Sequence, residues 1–266
     1  VHGVVARRGF GPSREARDWP DATWDALDRG LEQIRKDAEA ALARRWPGTK
    51  VTISDRPPVE GILEAADAVG ARAIVLGSRG YGRIRRALLG SVSRGVVRDG
   101  RCPVLVVKGS ERPGHRLVLG LDGSVHAERA VEFLAGLSVP YGGRITAVRV
   151  VEPARVPSMA LVPGAVRASI RAQVEILNAQ ALEDARHDVE RAAARLAQGR
   201  PAQARWRVRP LVCQGIPLDE LLRAVRARAD CLVVGARGVG GVERLLLGSV
   251  AEGALGRAPV SVLVVR

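Results

Sequence analysis

Two spacings of apolar residues alternate along this chain. Short, dense runs appear at Arg116–Leu121, Arg144–Val151, Arg205–Cys213, Cys231–Val234 and Val262–Val265. Such runs, rich in β-branched residues, suit strands and are too short for helices. Between them the period lengthens. Asp122-Gly123-Ser124 turns the chain and caps a helix running to about Leu137, because a side-chain oxygen there accepts from the first helical amides. Residues Val166, Ile170, Val174, Leu177, Ala181, Ala185, Val189, Ala192 and Leu196 step by threes and fours into one apolar stripe, with Arg and Glu elsewhere. Leu218–Arg228 and a short stretch after Ser249 read as further helices. Strands alternating with helices predict a parallel sheet covered on both faces.

The first part of the chain follows the same order. Val1–Val5, Lys50–Ser54, Ala73–Leu76 and Val104–Val107 read as strands, Asp21–Arg45 and Val59–Val69 as helices. Residues 73–108 overlay 231–266 without a gap, close to half of them identical. The offset of about 158 residues suits one α/β domain. The repeat predicts two domains, residues 1–110 and 114–266. The first begins late: the opening strand, the Asp-Gly-Ser turn and the first helix have no counterpart. A fragment lacking about forty N-terminal residues is the expected explanation, since losing a core strand costs much buried apolar area.

Within the repeat lies a glycine pattern. Gly77-Ser-Arg-Gly80 is followed after nine residues by Gly90-Ser91, and Gly235-Ala-Arg-Gly238 after nine residues by Gly248-Ser249. Each set follows a strand and precedes a helix. Glycine lets backbone N–H groups approach a ligand closely, and a helix N-terminus adds unsatisfied donors and positive dipole, so the geometry suits phosphate. The glycines could also serve the turn alone. Asp122 could be a plain helix cap, and Arg79 and Arg237 surface charges. His2, His115, His126 and His187 show no partner spacing and read as incidental.

Composition narrows the rest. No run of eighteen apolar residues exists, which predicts no membrane span. Cys102, Cys213 and Cys231 lack metal-site spacing and read as core residues of a reducing, cytoplasmic compartment. The formal charge of +14 is almost all Arg, spread over every helix. A basic surface suits nucleic acid, but the chain is poor in the aromatics on which bases stack. Some affinity for anions is the plainer reading.

Taken together, the loops, the Asp turn and the strand order resemble the universal stress protein family in its tandem two-domain form, over essentially the whole chain. The resemblance implies two Rossmann-like (adenine nucleotide alpha hydrolase-like) α/β domains, each a parallel five-stranded sheet of order 3-2-1-4-5, the first one incomplete here. It implies ATP or another adenine nucleotide, with Mg²⁺, across the carboxyl ends of strands 1 and 4. Gly235, Arg237 and Gly238 would border phosphates and ribose, and Gly248, Ser249, Val250 and Ala251 would cradle phosphate. Asp122, with Gly123 and Ser124, would sit by the ribose or a phosphate-bound metal, and the Val150 backbone would read adenine. Many members carry Ser or Thr where Ala251 stands. Gly77, Arg79, Gly80, Gly90, Ser91 and Ser93 would form the incomplete first site. The resemblance also implies last strands meeting across a two-fold axis, as an internal pseudo-dimer, with a homodimer open.

No P-loop lysine, Gly-x-Ser-x-Gly elbow or His/Cys/Asp cluster supports catalysis. The expected function is a nucleotide-binding stress-response or regulatory protein that is not an enzyme. The alternatives are a slow nucleotide-processing enzyme and a basic docking protein for a partner or nucleic acid.

Overall fold

A computed structural model describes residues 1–6, 20–78, 89–109, 115–138, 143–155, 164–198, 206–227, 229–239 and 247–266. The chain forms two compact units, one of Val1–Ile74 with Gly90–Cys102 and one of Val75–Leu89 with Pro103–Arg266.

In the smaller unit, β1 (His2–Ala6) and β2 (Lys50–Ser54) pair in parallel, from His2 opposite Lys50 to Ala6 opposite Ser54. Helix α1 (Asp21–Ala43) connects them and buries Leu31. On its outer side Arg35 bridges Glu32 and Glu39 at 2.7 and 2.6 Å. Helix α2 (Pro58–Ala68) opens with proline, whose fixed φ and missing N–H suit a first turn. Helix α3 (Ser91–Asp99) buries Val96 and Val97 and lies close on α2: a Cβ on Gly95 would stand 2.7 Å from Val59 Cγ2.

The larger unit holds a seven-stranded sheet of β3 (Ile74–Gly77), β4 (Val104–Val107), β5 (Arg116–Leu121), β6 (Arg144–Val151), β7 (Arg207–Gln214), β8 (Cys231–Gly235) and β9 (Ser261–Val265), ordered β3-β4-β9-β8-β5-β6-β7. Ile74 itself belongs to the smaller unit. From β7 to β9 every pairing is parallel, with β5 between β6 and β8. This is the 3-2-1-4-5 order expected for the second repeat.

Alternation along these strands sends side chains to two faces. Leu117, Leu119, Ile145, Ala147 and Val233 face α4 (Val125–Ala135) and α5 (Gly164–Ala197), meeting Ala130, Leu134, Val189 and Leu196 in one buried cluster. Each fully buried Leu, Ile or Val contributes roughly 1.5–3 kcal/mol. Trp206 enters the same cluster and satisfies its indole N–H on the Leu134 carbonyl at 3.1 Å. On the opposite face α6 (Pro217–Arg226) and α7 (Ser249–Arg257) bury Leu222, Val225, Ala254 and Leu255.

The final strands of the two repeats pair antiparallel, Val104 opposite Val264 and Val106 opposite Val262, so neither is left as a bare apolar edge. Just past β4, Lys108 reaches the Ala254, Leu255 and Ala258 carbonyls, the last at 3.0 Å, and supplies donors to the C-terminal turn of α7. Burial there pulls the Lys108 ammonium below its ordinary pKa.

Without a first strand, the second and fourth strands of the first repeat should pair directly or stand apart across a gap. They do not pair directly: among the described residues β1 pairs with β2 alone, and β3 belongs to the other sheet. The stripe on α5 is also buried along only part of its length: Ala185, Val189, Ala192 and Leu196 are buried, while Val166, Ile170 and Leu177 are exposed. A helix of 34 residues is about 51 Å long. An eight-residue strand such as β6 spans only roughly 26 Å, so the sheet runs out beneath the helix.

Cys231 is buried and its thiol is pushed up to about 12, mainly by desolvation, while Cys102 and Cys213 are half-buried. Among the described residues there is no group of three metal-ligating side chains, and no helix is long and apolar enough to cross a membrane.

Candidate nucleotide site

Strand β5 connects to β6 across one face and β7 to β8 across the other, so the carboxyl ends of β5 and β8 open a crevice between them. Open α/β sheets bind ligands at this switch point. The cavity there, of about 170 Å³, is lined by residues that include Asp122, Val150, Gly235, Arg237, Gly238, Gly248, Ser249, Val250 and Ala251. These are the residues singled out in the second repeat, apart from Gly123 and Ser124.

Hydrogen bonds explain how the crevice keeps its shape. Asp122 Oδ1 accepts from the Ser124 amide at 3.0 Å, closing a turn over Gly123, whose φ of +78° favours glycine. Buried Ser124 accepts from the Ala127 amide at 3.2 Å and donates to the Arg237 carbonyl at 3.0 Å. One hydroxyl thus caps α4 and ties it to the loop after β8.

Three glycines are held by contact distances. A Cβ on Gly238 would lie 2.6 Å from Asp122 Oδ2, and one on Gly235 would lie 2.9 Å from His126 Cβ. A Cβ on Gly248 would come within 3.2 Å of the Arg237 Cα. The Gly248 amide donates to the Ala236 carbonyl at 2.8 Å, holding the helix entry against the loop. No side chain caps α7. The amides of Ser249, Val250 and Ala251 open its first turn, where an α-helix offers donors that have no intrahelical acceptor. Ala251 is buried; Ser249 is exposed at the rim.

Several lining residues escaped the sequence reading. Gly120, inside β5, lets α6 approach: a Cβ there would stand 3.1 Å from Leu221 Cδ1. An isolated glycine in a strand was the available signal. Pro217, Leu221 and Val234 line the apolar side, and Arg149 the polar one. Arg149 Nε also donates to Asp188 Oδ2 on α5 at 3.2 Å. His126, taken as incidental, packs against the crevice. Desolvation, then Arg129, Arg237 and Arg266, lower its pKa, with Asp122 opposing them.

A larger cavity of about 320 Å³ lies between α4 and α5, beside Gly123, with Glu128, Glu132, Arg191 and Arg195 over Ala127 and Val131. Neither the loop after β8 nor the start of α7 lines it, and Ser124 already caps α4 beside it, so the free donor set points to the smaller crevice.

In the first repeat, Gly77 ends β3 in the larger unit, whereas Gly90 and Ser91 at the start of α3 and buried Ser93 within it lie in the smaller. Arg79 and Gly80 lie outside the described residues.

The class these features define is the doubly wound α/β domain with a glycine-lined crevice at its switch point. The chain belongs to the universal stress protein family, whose family model matches residues 5–108 and again 114–266. It is 31% identical over 238 residues to universal stress protein Rv2005c of Mycobacterium tuberculosis, covering 88% of this chain and 74% of that one. A universal stress protein of Thermus aquaticus is 40% identical over 85 residues, covering 32% of this chain and 62% of its own. The fold is shared with a universal stress protein of Archaeoglobus fulgidus, at a TM-score of 0.55 and 23% identity over 99% of this chain and 85% of that one.

Proposed function

We propose that the second repeat binds an adenine nucleotide, ATP with Mg²⁺ in the first place, and that the protein acts in the cytoplasm as a stress-response or regulatory binding protein without turning the nucleotide over. The observation that carries this reading is the uncapped start of α7 facing Asp122 across two close-packed glycines, where a Cβ on Gly238 or Gly248 would come within 2.6 or 3.2 Å of its neighbours. The crevice, about 170 Å³ and open to solvent on one side, has room for an adenine ring. The adenine would rest against Val150, Pro217 and Leu221, leaving the phosphates to run outward over Gly238 and Gly248. There the Ser249–Ala251 amides and the Ser249 hydroxyl would hold them. Asp122, with Oδ2 beside Gly238, is the residue to meet the ribose or the phosphate-bound Mg²⁺. Ala251 supplies only its amide. Gly123 and Ser124 support the site through the turn and the cap. The β4–β9 pairing further supports an internal pseudo-dimer of residues 1–110 and 114–266, and Gly77, Arg79, Gly80, Gly90, Ser91 and Ser93 would form at most a partial first site.

Isothermal titration tests this. Wild type should bind Mg-ATP, and Gly248→Glu, which inserts a carboxylate among the phosphate donors, should abolish binding. Asp122→Ala should weaken binding with the fold intact; a mere cap would cost about 1 kcal/mol of stability and little affinity. No adenylate binding at millimolar ATP would overturn the reading, as would a Gly248→Glu variant that binds like wild type. Steady ATP turnover by the pure protein would make it an enzyme instead.

A further inference from the structure

Of the described arginines just two, Arg149 and Arg237, line the crevice, and the sheet register shows where another part of the charge of +14 gathers. Arg116 on β5 stands opposite Arg144 on β6, which stands opposite Arg207 on β7. In-register residues of parallel strands share a face. Gly120, of the same alternation as Arg116, meets Leu221 of α6, whereas Val208 and Val212 of β7 pack into the core under α5. The arginine row therefore lies on the α6 side of the sheet, and Arg209, two residues beyond Arg207, joins it.

All four arginines are exposed, and none has an ion-pair partner among the described residues. Beside Arg116, the Asp230 carboxylate is engaged by the His115 and Arg116 amides at 3.0 Å each. The Asp230 amide in turn donates to the Arg116 carbonyl at 2.7 Å, four residues after the end of α6, whose last turn carries the exposed Arg226. Like charges directly opposite on neighbouring strands repel. Here three stand side by side, about 4.8 Å apart from strand to strand, on the far side of the domain from the crevice.

We propose that this arginine row is a docking site for a linear inorganic polyphosphate chain. The guanidinium fork pairs with phosphate oxygens in two parallel hydrogen bonds. Strand spacing sets the forks at a density that a phosphoanhydride chain, charged at every unit, can match. An acidic peptide inserts a peptide unit between its carboxylates. Nucleic acid separates its phosphates by sugars and offers bases, and β5, β6 and β7 carry no aromatic side chain on which to stack them.

The test is titration of the full chain with inorganic polyphosphate at several salt concentrations. Arg144→Gln/Arg207→Gln/Arg209→Gln should bind at least tenfold more weakly, with the slope of log K against log salt reduced by about one per arginine removed. The matching triple Lys variant, which keeps charge but not the fork, should bind between the two. Gly248→Glu should bind polyphosphate like wild type, separating this face from the nucleotide crevice. Equal binding by the Gln variant overturns the proposal. So does loss of polyphosphate binding in Gly248→Glu, or tighter binding of a single-stranded oligonucleotide of equal charge.

Discussion

The two repeats share a sequence yet build different amounts of structure from it. Both pack their last two helices through one glycine, Gly95 against Val59 and Gly253 against Leu218. In both, the amide after the glycine-ended strand donates to the final strand, Ser78 to Val107 at 2.9 Å and Ala236 to Val265 at 2.7 Å. They part at the central strand. In the second repeat, β5 holds β6 on one side and β8 on the other, and its Leu119 is wholly buried. Among the described residues of the first repeat there is no such strand, and its four strands divide between two sheets. A βα unit thus keeps its local geometry without its neighbours, whereas a continuous core needs the strand that joins them.

The comparison can be broken most directly by hydrogen exchange. Amides of β5 and β8 should exchange only through global unfolding, and those of the two-stranded β1–β2 sheet orders of magnitude faster. Equal protection would deny the central strand its importance. Next in size, Leu119→Ala should destabilise the larger unit by about 2–5 kcal/mol, read by denaturant unfolding, while leaving β1–β2 exchange unchanged.

A finer test uses the shared glycines. Gly95→Ala presses on both methyls of Val59, whose branched side chain is stiff in a helix, and should cost about 1–3 kcal/mol. Gly253→Ala meets the end of a flexible leucine and gains helix propensity, so it should cost under about 1 kcal/mol. The reverse order in thermal melts would show that the two packings differ. The smallest effect belongs to His126, which has no counterpart in the first repeat. Its folded pKa lies below the ordinary 6.5, so on acidification the unfolded chain takes up the proton first. The stability it contributes is complete above about pH 6.5 and falls as pH drops below that value, until the folded imidazole also protonates. His126→Asn should flatten the melting temperature in that window.

Much of the site was legible because its determinants are local. Gly238 and Gly248 announced themselves by spacing, and Asp122 and Ser124 by their place between a strand and a helix. Pro217, Leu221 and Arg149 were not legible, since their place in the crevice depends on which strands become neighbours. The packing of His126 was not legible for the same reason: its environment comes from Gly235, Arg237 and Arg266, distant in sequence.

By itself the sequence determined the strands and helices, the repeat and the glycine turns, because each follows from periodicity or from a backbone conformation that few residues allow; the order of the second sheet came with the family resemblance those motifs carry. Only the tertiary structure decided how much of α5 is buried and which strands the first repeat keeps together. It alone placed Arg116, Arg144 and Arg207 side by side. Those outcomes depend on register and on the length of neighbouring elements, and no local pattern carries either.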